Sequence, residues 1–240
     1  MNSPQNSPDS LLLHPIAHIH TDFPSKFGIP RQSGLIPDLR ASVIFEPEYR
    51  NPDALRGLKE FSHLWLIWEF SESKRNNWSP TVRPPRLGGN IRKGVFATRS
   101  PFRPNPLGLS CVKLDHIDLH TSLGPVLYVL GADLMDQTPI YDIKPYVPYS
   151  DSHPEALGSF ADLHKNDLLQ VIIPSHWLSA IPTELLESLK GVLAHDPRPA
   201  YQNDPERIYG FPFGSIEIRF TVKENVLTVC EIVNQDVTLE

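Results

Sequence analysis

A mainly β chain is predicted, an antiparallel β-barrel followed by a small α+β domain, and three observations carry that reading. Proline is frequent, 25 of 240 residues, and clusters in stretches such as Pro80 to Pro85 and Pro101 to Pro106. Proline removes ladder donors and breaks helix interiors, so a helical bundle is excluded. The apolar signal of the first two thirds comes in short runs with strand character. The last third changes to one amphipathic helical stretch beside alternating strands, the pattern of a small mixed domain.

Taken in order, residues 1–10 form a polar tail expected to be disordered, residues 11–160 the barrel, and residues 161–240 the α+β domain. Ile16 to His20, Val43 to Phe45, Leu64 to Phe70, Gly94 to Thr98, Leu109 to Asp118 and Val126 to Ala132 read as strands. Leu64 to Phe70 is almost continuously apolar, which predicts a strand buried on both faces. Pro52 to Phe61 reads as a short helix, with Asn51 as N-cap and Pro52 at the first helical position. Asp167 to Ile173 reads as a strand. Thr183 to His195 reads as a helix capped by Thr183, with Leu185, Leu186, Leu189 and Leu193 as its apolar stripe. Ile216 to Val222 alternates apolar and polar residues, and a turn at 223–225 leads into Val226 to Val233, which makes a hairpin.

The bulk properties exclude several classes. Apolar residues make up 40% and charged residues 21%, the balance of a globular chain. Cys111 and Cys230 stand far apart and form no C-x-x-C pair, so no disulfide framework exists and a cytoplasmic, reducing setting is expected. The N-terminus has no basic signal-peptide region, and no apolar run reaches the roughly 18 residues of a membrane span. Net charge is −6, which argues against general coating of nucleic acid. Yet no Asp or Glu occurs between Ser73 and Leu114, a stretch that holds Arg75, Arg83, Arg86, Arg92, Lys93, Arg99 and Arg103. That distribution describes a local anion site; the plain alternative is a solvated face paired with counterions.

Several familiar motifs are missing. No G-x-G-x-x-G follows a strand, which leaves a nicotinamide or ordinary Rossmann site unsupported. Gly89 to Gly94 has P-loop spacing, but Val95 replaces the required lysine. His14, His18 and His20 lack a zinc signature, and no metal is expected. What remains is polar and loop-borne: Gly28 to Gly34, Phe61 to Trp65, Thr98 to Ser110, Asp133 to Asp136, and Asp142 to Tyr146, which sets an acid, a base (Lys144) and a phenol in five residues. Pro101, Pro104 and Pro106 stiffen the 98–110 loop and lower the entropy cost of presenting Arg99, Arg103 and Asn105. Each alone is compatible with turn chemistry and surface ion pairs. Together they describe a stiff-walled cleft.

The segment Trp78-Ser-Pro-Thr-Val-Arg-Pro-Pro-Arg-Leu-Gly-Gly-Asn90, continuing as Gly94-Val-Phe-Ala-Thr-Arg-Ser-Pro-Phe-Arg-Pro-Asn-Pro-Leu-Gly-Leu-Ser110, resembles the signature of the TsaA/TrmO family. Pro30-Arg-Gln32, Phe61-Ser-His-Leu-Trp65, Thr138-Pro139, Asp142 to Pro148 and Asp196-Pro-Arg-Pro-Ala-Tyr201 are similar to the same family in order. Gln137 departs from it, standing where glycine is expected. The resemblance implies an S-adenosylmethionine-binding β-barrel, a homodimer, and methylation of N6 of threonylcarbamoyladenosine beside the tRNA anticodon. It further implies cofactor contacts at Pro30, Arg31, Gln32, His63, Leu64, Arg99, Leu109, Asp133, Leu134, Met135 and Asp136.

The residue chemistry is compatible with that implication. Arg31 or Arg99 can bind the cofactor's carboxylate. Asp133 or Asp136 can hold its ammonium or ribose. Methyl transfer depends chiefly on in-line positioning. The target nitrogen is a weak nucleophile, and Asp142, Tyr146 and Asp196 are unranked candidates for a general base. The basic residues of 74–103 and Lys144 are expected to meet the RNA. Arg198 and Tyr201, on a proline-stiffened loop, are expected to grip the threonyl carboxylate and stack on a base, or else to form a rigid linker. Two rivals stand beside the methyltransferase: a non-catalytic S-adenosylmethionine- or RNA-binding module, and a methyltransferase for another small molecule or protein.

Overall fold

The computed structural model describes residues 11–73, 77–84, 91–164, 167–198, 202 and 204–235. Its strands are β1 (Ala17–Thr21), β2 (Arg40–Phe45), β3 (His63–Glu69), β4 (Thr81–Val82), β5 (Lys93–Gly94), β6 (Leu107–Thr121), β7 (Gly124–Leu130), β8 (Thr138–Pro145), β9 (Gln170–Ile172), β10 (Tyr209–Phe213), β11 (Ile216–Lys223) and β12 (Val226–Asn234). Two α-helices, α1 (Pro148–Asp151) and α2 (Leu186–Ala194), join them.

Six strands close a barrel in the order β1-β2-β7-β6-β3-β8, every neighbour antiparallel. Period-2 alternation sends one set of side chains inward: Ala17 and Ile19, Val43 and Phe45, Leu64, Leu66 and Trp68, Val112 and Leu114, Leu127 and Val129, and Ile140. β3 buries Leu64, Leu66 and Trp68 on one face only, while its other face is half-buried. The expected two-sided burial is thus corrected: Trp65, on the outer face, donates its indole N–H to Asp151 at 2.9 Å and packs against Tyr146. An amphipathic aromatic can fill an outward position that periodicity reads as core.

The second sheet runs β10-β11-β12-β9, with β9 parallel to β12. Its core joins Phe211, Phe213, Ile218, Phe220 and Leu227 to Leu189, Val192 and Leu193 of α2, and it also takes in Phe23, Ile36 and Leu39. The 22–39 loop therefore leaves the barrel to pack under the C-terminal sheet. Gly28 makes the approach possible. Its φ is +88°, and an added Cβ would lie 2.6 Å from the Phe211 ring.

Local chemistry overrides several expected elements. Pro52 to Phe61 is two 3₁₀ turns, Pro52–Leu55 and Leu58–Glu60, separated where Gly57 adopts φ +85°. Asn51 does cap the first, accepting from the Asp53 N–H at 3.0 Å. The strand expected at Gly94 to Thr98 is a 3₁₀ turn over Val95–Ala97, because Thr98 returns both its N–H and its hydroxyl to the Val95 carbonyl. Asp167 to Ile173 pairs only over Gln170–Ile172. Thr183 makes no side-chain cap; it opens a 3₁₀ turn after Pro182, and α2 begins at Leu186. β8 and β10 were not anticipated, since Pro139, Pro145 and Pro212 interrupt their patterns.

Gln137 adopts φ +62°, the left-handed region that glycine tolerates best. Its amide meets His20 Nδ1 at 2.9 Å in an exposed position. Gln137→Gly is therefore expected to raise unfolding free energy by up to about 1 kcal/mol, as read from the urea midpoint. A lower midpoint would show that the His20 contact outweighs the backbone relief.

Candidate active site

A cavity of about 580 Å³ opens where the end of β3, the 98–109 loop, the 26–33 loop and the turn after β7 converge. That size suits a small organic ligand. Its apolar wall includes Ile29, Pro30, Phe70, Leu107, Leu109 and Met135, and its charged groups are Lys26, Arg31, Glu69, Glu72, Arg99 and Arg103 around Asp133.

The inward phase of β6 builds the floor. Gly108, Ser110, Val112 and Leu114 are buried in alternation. At Gly108 a Cβ would lie 2.2 Å from the Trp68 indole, so only glycine lets that ring lie flat on the strand. The indole N–H then donates to Ser110 Oγ at 2.9 Å, and Ser110 Oγ donates to Asp133 Oδ1 at 2.6 Å. Burial pushes the Asp133 carboxyl up from its ordinary value, against the Ser110 hydrogen bond, Arg99 and the Ser33 backbone.

Side chains tie the rim together. Arg99 donates to Gln32 Oε1, and the Gln32 amide donates to the Arg31 carbonyl. Ser33 Oγ accepts from the Cys111 N–H at 3.1 Å, which pins this loop to β6. Arg103 donates to the Thr98 carbonyl at 3.1 Å and so braces its own loop. Lys26 donates to the Glu72 carbonyl and to Ser73 Oγ. Just outside, Tyr141 donates to Glu69 Oε2 at 2.7 Å, and burial with that carboxylate pushes the phenol up to about 12.

The cavity brings together Pro30, Arg31, Gln32, Arg99, Leu109, Asp133 and Met135, with Arg103. Other anticipated residues lie elsewhere. Leu64 and Leu134 are fully buried in the barrel core, which leaves their side chains no surface for a ligand. His63 begins β3 while the cavity sits at its far end, about 20 Å away by strand rise. Asp136 turns away: its carboxylate accepts from the Thr21 N–H at 3.0 Å and lies 3.6 Å from His20 Nδ1.

The three base candidates do not line this cavity either. Asp142 pairs with Lys144 at 2.7 Å on β8. Tyr146 packs with His63, ring centroids 6.1 Å apart. Asp196 holds Arg198 in a two-pronged pair, 2.8 Å from Nε and 2.9 Å from the terminal nitrogen. That pairing, rather than an outward reach, engages Arg198, whose side chain is only 11% exposed. Of the basic residues, Arg83 and Arg92 are exposed and Lys93 is half-buried in β5, with Arg92 donating to Thr81 Oγ1 at 2.8 Å. Arg75, Arg86 and Tyr201 lie outside the described residues.

Sequence reasoning missed Trp68, Ser110, Ser33 and Lys26. Ser110 was findable, because it is the one hydroxyl in the inward phase 108, 110, 112, 114 of an otherwise apolar strand. Lys26, Ser33 and Trp68 carried no such signal, since their roles depend on which loop meets which strand. Among the described residues, no group of three or more His, Cys, Asp or Glu could hold a metal ion, and no helix is long and apolar enough to cross a membrane.

Comparison with known proteins extends the geometry. The family described as tRNA-methyltransferase O N-terminal domain matches residues 18–152, and the TrmO C-terminal domain matches residues 169–235. A tRNA (adenine(37)-N6)-methyltransferase of Escherichia coli K12 is 39% identical over 218 residues, covering 87% of this chain and 92% of that protein. One of the same name from Eikenella corrodens is 42% identical over 169 residues, 70% of this chain and 95% of the other. The crystal structure of TrmO from Pseudomonas aeruginosa superposes with a TM-score of 0.75 at 30% identity, covering 96% of this chain and all of that one.

Proposed function

The chain belongs to the TrmO family of tRNA methyltransferases, and from that premise we propose that it uses S-adenosylmethionine to methylate N6 of threonylcarbamoyladenosine at position 37 of tRNA, in the cytoplasm and as a homodimer. The observation that carries the reading is a cavity of cofactor size in which a half-buried carboxylate and a guanidinium sit within electrostatic reach of one another. The cofactor's amino-acid end is a zwitterion, and Arg99 with Asp133 presents its complement. Ile29, Pro30, Phe70 and Leu109 supply apolar wall for the adenosyl part. When bound, the sulfonium supplies an activated methyl group. The protein's part is to hold both reactants in line and to exclude water.

The RNA reading rests on the strip that precedes the cavity's 98–109 loop in the chain. Arg83 and Arg92 are exposed there, and the rings of Trp78 and Phe96, 53% and 73% exposed, lie 6.4 Å apart. Cations and exposed aromatic faces together are what a single-stranded loop meets in a protein that stacks its bases. If Arg83, Arg92 and Lys93 contact phosphates, tRNA affinity falls with salt at a log–log slope of about 0.7–0.9 per contact, and Arg92→Ala lowers the slope by about one contact. A flat salt dependence in a filter-binding titration would return the strip to a solvated face. The whole reading is tested by calorimetric titration of the purified protein with S-adenosylmethionine. Saturable binding that Arg99→Ala weakens roughly 10- to 100-fold is expected, since Arg99 is exposed and its bonds to a charged group are of ordinary strength.

A further inference from the structure

We propose that Trp68 and Ser110 are positioning residues, a one-way hydrogen-bond relay that orients the Asp133 carboxylate for the cofactor's ammonium. The proposal rests on the reading of this cavity as the S-adenosylmethionine site. Its argument is one of hydrogen-bond polarity. An indole N–H can donate and can never accept. The 2.9 Å bond from Trp68 Nε1 therefore requires Ser110 Oγ to accept there. A serine hydroxyl has one hydrogen, and the 2.6 Å contact to Asp133 Oδ1 is where it goes. Trp68 thus occupies the hydroxyl's accepting side and reinforces the direction of its one hydrogen toward Asp133.

Ser110 is 1% exposed and Trp68 is 7% exposed, so water does not substitute for either partner. The relay has a built foundation as well. Gly108 leaves the space in which the indole lies, two residues before the serine on the same face of β6. Besides Ser110, the carboxylate accepts from the Ser33 and Asp133 backbone N–H groups, and it lines a cavity whose other charged groups are Lys26, Arg31, Glu69, Glu72, Arg99 and Arg103. The hydroxyl bond favours the ionised carboxylate against the burial that disfavours it. No atom is transferred through the relay; its role is to keep an acceptor charged and aimed.

The test is the S-adenosylmethionine dissociation constant of wild type, Ser110→Ala, Trp68→Phe and Asp133→Asn over roughly pH 5 to 7, where the ligand's amino group stays protonated. In wild type, affinity should be lost as pH falls through the Asp133 midpoint. In Ser110→Ala that midpoint should move up by about one unit, so that affinity is about tenfold weaker on the acid side of the wild-type midpoint and recovers toward wild type as pH rises. Trp68→Phe should shift it the same way by less. NMR titration of the Asp133 carboxyl in the ligand-free protein reads the same shift without the cofactor. If either variant fails to fold, as thermal unfolding would show, the other carries the comparison.

A Ser110→Ala loss that is equal at every pH, with an unmoved Asp133 midpoint, would reduce the serine to packing and overturn the relay. Wild-type affinity and pH profile in Asp133→Asn would instead overturn the cofactor site itself. The two failures are thus separate results.

Discussion

Asp133→Asn is expected to weaken S-adenosylmethionine binding by about 2–5 kcal/mol at neutral pH, the cost of removing one charge from a hydrogen-bonded pair that the cavity desolvates. Asparagine keeps the shape, and its carbonyl can still accept from Ser110, so the loss reports on charge. Calorimetry on the purified variant measures it. Folding stability should move the other way. Burial raises the Asp133 carboxyl above its unfolded value, so the folded state holds a proton that the unfolded state releases. The contribution of Asp133 to stability is therefore fully present at pH below the ordinary carboxylate range and is lost as pH rises through the raised folded midpoint. At neutral pH the variant escapes that penalty, and its urea midpoint should match or exceed wild type. A site that costs the fold something in order to bind is a common exchange in enzymes. Unchanged cofactor affinity with a lower urea midpoint would make Asp133 a structural residue.

The second large effect concerns the seam between the two sheets. Phe211 is 1% exposed, and its ring touches Phe27, Phe213 and Phe220 and seats the Gly28 turn. Phe211→Ala should destabilise the protein by about 3–5 kcal/mol, through lost burial and the cavity left behind. Because Gly28 begins the loop that presents Pro30, Arg31 and Gln32, cofactor affinity should fall along with stability. Equilibrium unfolding followed by both tryptophan fluorescence and far-ultraviolet dichroism measures the first part. A loss below about 1 kcal/mol would mean that the loop and the sheet do not share the core described here.

How much of this was legible beforehand depends on the range of the interaction. The barrel strands Ile16 to His20, Val43 to Phe45 and Val126 to Ala132 follow from short apolar runs of strand character, and the C-terminal hairpin follows from Ile216 to Val233 with its turn. The Gly94 to Thr98 strand failed because Thr98 bonds back to Val95, a local competition that a hydropathy pattern does not contain. Arg31, Arg99 and Asp133, which the cavity brings together, are named from the family resemblance, with carboxylate and ammonium pairing as the compatible chemistry. Ser110 carried a faint signal as the one hydroxyl in an apolar phase, whereas Trp68 looks like ordinary strand filling until β3 and β6 are laid side by side. His63 and Asp136 show the converse. They sit beside cavity residues in sequence, yet strand length takes one to the far end of β3, and the turn before β8 aims the other at the Thr21 N–H. Arg198 looked free to reach a substrate, but Asp196, two residues away, takes its guanidinium.

The most direct test of the central claim combines the purified protein, S-adenosylmethionine carrying a labelled methyl group, and two matched tRNAs that differ only in the threonylcarbamoyl group at position 37, with nucleosides resolved by mass spectrometry. The account predicts label on the threonylcarbamoyl-modified nucleoside, none on the plain adenosine, and loss of transfer in Asp133→Asn. Cofactor binding without transfer to either tRNA, or equal transfer to both, would contradict it.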